Sequence, residues 1–372
     1  MSRISILGTG NGGITCAYFL AARGHEICLY DFDDFDVQIK AVKTQGGIGA
    51  VSIEHGETML MPGFERNIYA THDVKEMMRF SDVYYIVCPS FAQERFFAQM
   101  MPYLHSGAVI ITFAANYASL VYTKMMEQSG QTDLDVTFCD TNTLPWACRL
   151  SARPGYTCIS GIKRFIPTSI YPRKNNADGH IMRILEDVSP LLVRLLHNPL
   201  EAGLENINIG GHPLYCAVNM GLLENLQGNV NYYRDCCSPS TAKAQAKLEN
   251  ERLLVGRAFG LNLKTDIEMV NALYGTNEKT SYDFNKNSSA HAKLSGAPAS
   301  AKHRYITEDI PYSLVPLYEL AQTAAIEVPM TEACITLGSA YNEEDYHLSG
   351  RTLKRMGLAG LSKEEIIAKV SK

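Results

Sequence analysis

Arg3-Ile4-Ser5-Ile6-Leu7-Gly8-Thr9-Gly10-Asn11-Gly12-Gly13 carries a short apolar run straight into a glycine-rich turn, and an apolar stretch of helical character follows through Ala22. Strand, glycine turn and helix N-terminus stand here in the order that a bound pyrophosphate needs. Gly8 allows the tight turn, Gly10 lets the backbone approach the phosphates, and Gly13 lets helix and strand pack closely. The phosphates would rest on free amides at the positive end of the helix.

A second strand, Glu26-Ile27-Cys28-Leu29-Tyr30, arrives on schedule and ends in Asp31. That is about twenty residues past the glycines, where an acidic partner for the adenosine ribose belongs. A carboxylate there accepts hydrogen bonds from the ribose hydroxyls and repels a 2'-phosphate. Asp33, Asp34 and Asp36 add negative charge, and the segment contains no arginine. The expected cofactor is NAD(H) in preference to NADP(H), held by Gly8, Gly10, Asn11, Gly12, Gly13 and Asp31.

A chain of 372 residues, 46% hydrophobic and 20% charged, has room for two globular cores. A net charge of -5 without charge blocks gives no electrostatic reason to expect nucleic acid or an anionic membrane surface, which leaves small molecules as partners. No basic leader or long apolar window is present, so the expected location is cytoplasmic. The ten cysteines are scattered and form no C-x-x-C pair, which reads as buried free thiols rather than disulfides or a metal site.

Strand and helix patterns then alternate. Phe35 to Lys43 is helical in pattern, and Ile48 to Met61 suggests a hairpin around Glu54-His55-Gly56. Asp82 to Pro89, Ala108 to Phe113 and Asp135 to Cys139 read as buried strands, with helices at Phe91 to Leu104 and Tyr117 to Gln128. Tyr156 to Ile166 reads as a hairpin turning near Gly161. From about Asn176 the spacing becomes helical, at Ile181 to Leu196, Leu214 to Leu226, Thr241 to Phe259, Leu314 to Ile326 and Glu332 to Tyr341. Polar Thr276 to Lys302 reads as a long loop. The expected fold is a doubly wound α/β domain of Rossmann type over 1–180, followed by an all-α domain over 181–372.

Two segments of the second half hold candidate chemistry. In Gly210-Gly211-His212-Pro213-Leu214-Tyr215 the proline suits a first helical turn, which places His212 at or beside a helix N-cap, its neutral ring ready to take a proton. Capping or packing is the plainer reading of a histidine before proline. In Arg304-Tyr305-Ile306-Thr307-Glu308-Asp309-Ile310-Pro311 charged residues crowd another helix start. Asp309 suits a carboxylate that orients an imidazole, and Arg304 a two-point clamp on a substrate carboxylate. Spacing alone does not bring His212 and Asp309 together.

The glycine turn, Leu144-Pro145-Trp146-Ala147-Cys148-Arg149, Gly211-His212-Pro213, Tyr233 through Ser240, Asn250-Glu251-Arg252 and Arg304 through Val315, taken in order, resemble the octopine/nopaline dehydrogenase family of opine dehydrogenases. The resemblance implies a Rossmann domain followed by a helical one. It also implies reductive condensation of an amino acid with a 2-keto acid, by way of an imine reduced by NAD(P)H. It places the family's catalytic histidine on His212, its partner aspartate on Asp309 and its keto-acid arginine on Arg304. Glu251 and Arg252 are adjacent on a helix and face different ways, which makes them structural or interfacial.

Two departures bear on specificity. The run before the Leu-Pro motif is Asp140-Thr141-Asn142-Thr143, where the family often has an acid nearby, and Pro89 is followed by Ser90-Phe91-Ala92-Gln93 without the family's histidine. Direct keto reduction, as in ketopantoate reductases or 3-hydroxyacid dehydrogenases, and a non-catalytic NAD-binding regulator are the alternative functions. Exposed faces of the helical half leave pairing with a second copy open.

Overall fold

The computed structural model describes residues 1–53, 63–287 and 297–372. The chain forms two compact units, Met1–Ala202 with Ser371–Lys372, and Gly203–Val370.

In the first unit the strands are β1 (Arg3–Leu7), β2 (Glu26–Tyr30), β3 (Ile48–Ile53), β4 (Phe64–Glu65), β5 (Ile68–Thr71), β6 (Val83–Ile86), β7 (Val109–Thr112), β8 (Thr137–Thr141), β9 (Trp146–Leu150), β10 (Tyr156–Ile162), β11 (Phe165–Tyr171) and β12 (Leu192–Leu195). The larger sheet runs in the order β12-β11-β8-β7-β6-β1-β2-β5. Its six strands from β5 to β8 are parallel, β11 is antiparallel to β8, and β12 is parallel to β11. Strands β1 and β7 are buried almost throughout, as expected where both faces of a parallel sheet are covered. The order reverses beside β1, so the crevice at the carboxyl ends of β1 and β6 is the ligand position of this architecture.

The hairpin expected near Gly161 does not form, because β10 runs straight through that glycine to Ile162. The glycine takes up a register shift against β9, and β10 pairs with β9 and β3 in a second sheet of order β4-β3-β10-β9. The chain instead turns at Lys163-Arg164 to cross into β11. There the Lys163 side chain is buried, and its Nζ donates to Thr143 Oγ1 at 2.5 Å and to the Leu144 carbonyl at 2.8 Å. Burial pushes the Lys163 ammonium down to about 7. These bonds fix the segment whose Leu144 side chain lies against Gly12, where an added Cβ would come within 3.1 Å of it. Strand β3 returns antiparallel on β4, and the tip containing Glu54-His55-Gly56 lies outside the described residues.

Ile181 to Leu196, expected as one helix, is a helix over His180–Val188 followed by β12. Because β12 pairs with β11, the first unit extends to Ala202 rather than ending at 180.

The second unit is helical, with its main helices at Asn208–Asn225, Pro239–Ala258, Asp266–Tyr274, Val315–Thr323 and Pro329–Asn342. Ser238 with Thr241, and Thr265 with Glu268, form capping boxes at two of the starts. Glu251 accepts from Met330 N, Thr331 N and Thr331 Oγ1 at 2.7, 2.9 and 2.7 Å, satisfying the start of the helix Pro329–Asn342. Arg252 points elsewhere, to the carbonyls of Leu204 and Lys264 and to Asp266. Of the expected loop from Thr276 to Lys302, Ser281–Asn287 is a short helix and 288–296 lie outside the described residues. No helix among the described residues is long and apolar enough to cross a membrane.

Candidate active site

The dinucleotide turn in the first unit has the backbone that its sequence demands. Gly8 sits at φ +107°, and a Cβ there would come 2.3 Å from the Val87 carbonyl oxygen. A Cβ on Gly13 would lie 1.8 Å from the Gly8 carbonyl oxygen, so only glycine lets the helix Asn11–Ala22 pack this closely on β1. A Cβ on Gly10 would meet nothing within 4 Å, which leaves the turn open on the side where a diphosphate approaches.

Asp31 follows β2 and is buried. Its Oδ2 accepts from Thr9 N and Thr9 Oγ1, both at 2.7 Å, and its Oδ1 accepts from Phe32 N at 2.8 Å. Burial raises the Asp31 carboxyl above its usual range, while the Thr9 and Phe32 donors pull it back. The carboxylate thus braces the glycine turn as well as presenting acceptor oxygens at the strand end. Asn11 Oδ1 accepts from Leu150 N at 2.8 Å, tying β9 to the same turn. These residues fit a dinucleotide.

One feature was invisible in the segment after Asp31. Arg95, from the helix Ser90–Met100, lies 3.8 Å from the Phe32 ring centroid, with Nη2 3.8 Å from Asp34 Oδ2. The fold therefore supplies the arginine that the local sequence lacks.

In the second unit His212 and Asp309 meet. His212 Nδ1 lies 2.8 Å from Asp309 Oδ2, and both side chains are buried. His212 Nε2 lies 2.8 Å from the Tyr233 hydroxyl. Tyr305 stacks on the imidazole, with centroids 3.6 Å apart and planes at 14°, and Tyr232 OH donates to the His212 carbonyl at 2.7 Å. A proton on Nδ1, donated to an ionised Asp309, leaves Nε2 to accept the Tyr233 hydroxyl. This assembly can store a proton on the imidazole and return it.

The local reason for this placement differs from the sequence reading. His212 is not at a helix N-cap, because its helix begins at Asn208 and carries Pro213 inside it. Asn206 starts the helix by accepting from Asn208 N through its side chain and from Ile209 N through its carbonyl. The two glycines are helical rather than helix-breaking. A Cβ on Gly210 would fall 2.4 Å from Asp266 Oδ2, so glycine permits close packing at that point.

Asp309 stands at the start of a π-type turn, Ile310–Leu314. Burial pushes its carboxyl up to about 7, against the pull of the Arg304 guanidinium. Arg304 opens the short helix Arg304–Thr307 with its side chain about half exposed. Its Nη1 lies 3.3 Å from Glu308 Oε2, and the guanidinium carbon is 5.6 Å from the Tyr305 ring centroid. Tyr233 sits in the one-turn helix Tyr232–Asp235, capped by the Asn231 side chain. Burial holds its phenol well above the usual value, so it stays protonated. Sequence reasoning gave the three tyrosines no role. The only signal was that Tyr233 and Tyr305 fall within stretches already quoted for resemblance; Tyr232 lies just outside them.

All ten cysteines are free thiols, and no group of metal-ligating residues occurs among the described residues.

Comparison with known proteins bears on both units. Residues 195–342 match the model for the NAD/NADP octopine/nopaline dehydrogenase alpha-helical domain, and residues 3–129 match the NAD-dependent glycerol-3-phosphate dehydrogenase N-terminus. The opine dehydrogenase of Arthrobacter sp. (strain 1C) is 29% identical over 359 residues, covering 96% of each chain. Among solved structures, octopine dehydrogenase with NADH and L-arginine superposes with a TM-score of 0.73 at 20% identity over 99% of this chain and 98% of the other. Octopine dehydrogenase with NADH and pyruvate gives 0.74 at 20% identity over 100% and 99%. At that identity the structural likeness speaks for the fold.

Proposed function

We infer from the matched helical-domain model and the 29% identical opine dehydrogenase that the chain is a member of the octopine/nopaline dehydrogenase family of NAD-dependent oxidoreductases acting on CH-NH donors. From that premise we propose that it joins the amino group of an amino acid to a 2-keto acid such as pyruvate, giving an N-(carboxyalkyl) amino acid. The observation that carries this reading is the buried His212–Asp309 pair, 2.8 Å apart, within the stretch that the octopine/nopaline dehydrogenase model covers.

When bound, NADH supplies the hydride that reduces the imine carbon. The chain's own residues manage protons and charge. An α-ammonium must lose a proton before its nitrogen can attack the keto carbon, and the carbinolamine must gain one at oxygen before water leaves. His212, oriented and charge-balanced by Asp309, takes the first proton and returns it for the second. Arg304 holds the keto-acid carboxylate beside the reacting carbon, where its planar fork fixes direction as well as charge. The glycine turn with Asn11 and Asp31 holds the dinucleotide.

Cytoplasmic action fits the ten free thiols. Pairing of two copies would draw on exposed apolar positions such as Val218 and Leu222, one turn apart on the helix Asn208–Asn225. The test is omission: NADH should be consumed only when keto acid and amino acid are both present. The product mass should equal that of the condensed and reduced pair. Consumption with keto acid alone would overturn the reading.

A further inference from the structure

We propose that Tyr233 is the group that exchanges the proton with the substrate, with His212 and Asp309 behind it as a relay. This rests on the opine-forming reading above. His212 Nδ1 is engaged by Asp309, and Nε2, the nitrogen that would face a substrate, is engaged at 2.8 Å by the Tyr233 hydroxyl. Tyr305 covers a face of the same ring at 3.6 Å, and only 4% of His212 is exposed. A substrate nitrogen reaching Nε2 directly would have to displace the phenol. A phenol that stays can pass the proton on without moving, because one hydroxyl donates one hydrogen bond while accepting another.

The step balances without a tyrosinate. The Tyr233 oxygen receives a proton from the substrate α-ammonium as its own proton passes to His212 Nε2, giving free amine, phenol and an imidazolium facing Asp309. After the amine has added to the keto carbon, the imidazolium returns its proton to the Tyr233 oxygen. In the same event the phenol proton moves to the carbinolamine hydroxyl, which departs as water and leaves the iminium. Histidine and tyrosine end as they began.

The surroundings are matched to this task. Tyr233 and Tyr305 bring their hydroxyls within 3.5 Å of each other, and Tyr232 holds the carbonyl of His212 itself. Burial holds the Tyr233 phenol protonated, against the weaker pull of the Arg304 guanidinium.

The experiment compares wild type with Tyr233→Phe, which keeps the ring and removes only the oxygen. Wild type is first shown to form the N-(carboxyalkyl) product. If it does not, the functional reading falls, and the relay with it. Given product, the expected result for the variant is a fall in kcat of about a hundredfold, the scale for losing a placed proton-transfer group. KM values should stay within about threefold, with NADH affinity unchanged. A kcat within about threefold of wild type means that the phenol only occupies the substrate's place, and overturns the proposal. If the variant loses NADH binding or its melting transition, fluorotyrosines at position 233 replace it. A kcat that changes in step with ring fluorination supports the relay, and one indifferent to it overturns the relay.

Discussion

Tyr305 lies flat on the His212 imidazole, with ring centroids 3.6 Å apart and planes within 14° of parallel. The stack fixes the tilt of a ring whose two nitrogens must point at Asp309 and Tyr233 together. Aromatic pairs of this kind contribute about 1 kcal/mol beyond their buried area. Tyr305→Leu should lower kcat by roughly tenfold and leave NADH affinity unchanged, while Tyr305→Phe keeps the stack and stays within about threefold. Steady-state kinetics with NADH titration by fluorescence checks both.

Asp309 is buried, and its carboxyl is pushed up to about 7. Its charge, which supports an imidazolium, is present above that pH and is lost as the pH falls through it. In the opine-oxidising direction kcat/KM should therefore decline below about pH 7. Asp309→Asn should cost about a hundredfold or more and flatten that limb. A pH profile of both proteins decides it. An unchanged limb in the variant would assign the titration elsewhere.

The parts legible in the sequence are those whose cause is local. Strand β1, its glycine turn and Asp31 follow from apolar runs and backbone freedom within thirty residues of one another, and four of the five helices expected after Asn176 reappear with shifted ends, the other giving way to β12 after Val188. What escaped depends on distant partners. Gly161 resembles a turn residue until β9 lies beside it, and Gly210-Gly211 resembles a helix break until Asp266 approaches Gly210. Strands β5 and β12 are as short as β6 and β7 but lack the unbroken apolar run that marks those two, β5 lying between Asn67 and His72 and β12 being interrupted by Arg194. The tyrosines at His212 come from two segments far along the chain, and nothing in their spacing announces a shared ring.

Asp31 makes two predictions in one, because its carboxylate holds Thr9 and presents oxygens at the strand end. Asp31→Ala should weaken NADH binding by roughly tenfold to a hundredfold, the range for losing hydrogen bonds to a charged group. NADPH should lose less, since a source of repulsion is gone and Arg95 is close to Phe32 and Asp34. The ratio of kcat/KM for the two cofactors checks this. An unchanged ratio would mean that another group reads the ribose.

Lys163 links loop position to pH. Its folded value of about 7 lies below the roughly 10.4 of an unfolded lysine, so between these values the unfolded chain binds the extra proton. Its contribution to stability therefore rises as pH goes from about 7 to 10, and below 7 the fold carries a buried ammonium held by Thr143 and Leu144. Lys163→Met should lack this dependence, so the wild type should gain in melting temperature relative to the variant across that window. A constant gap in differential scanning fluorimetry would show that Lys163 does not titrate there.

The most direct test of amine-dependent reduction follows the atoms. Enzyme is supplied with NADH carrying deuterium at C4, unlabelled pyruvate and 15N-labelled amino acids, and the products are separated by mass. One product should carry both labels, with deuterium on the former keto carbon and 15N bonded to it. Deuterium recovered in a 2-hydroxy acid free of 15N would contradict amine-dependent reduction and assign the chain to simple keto reduction.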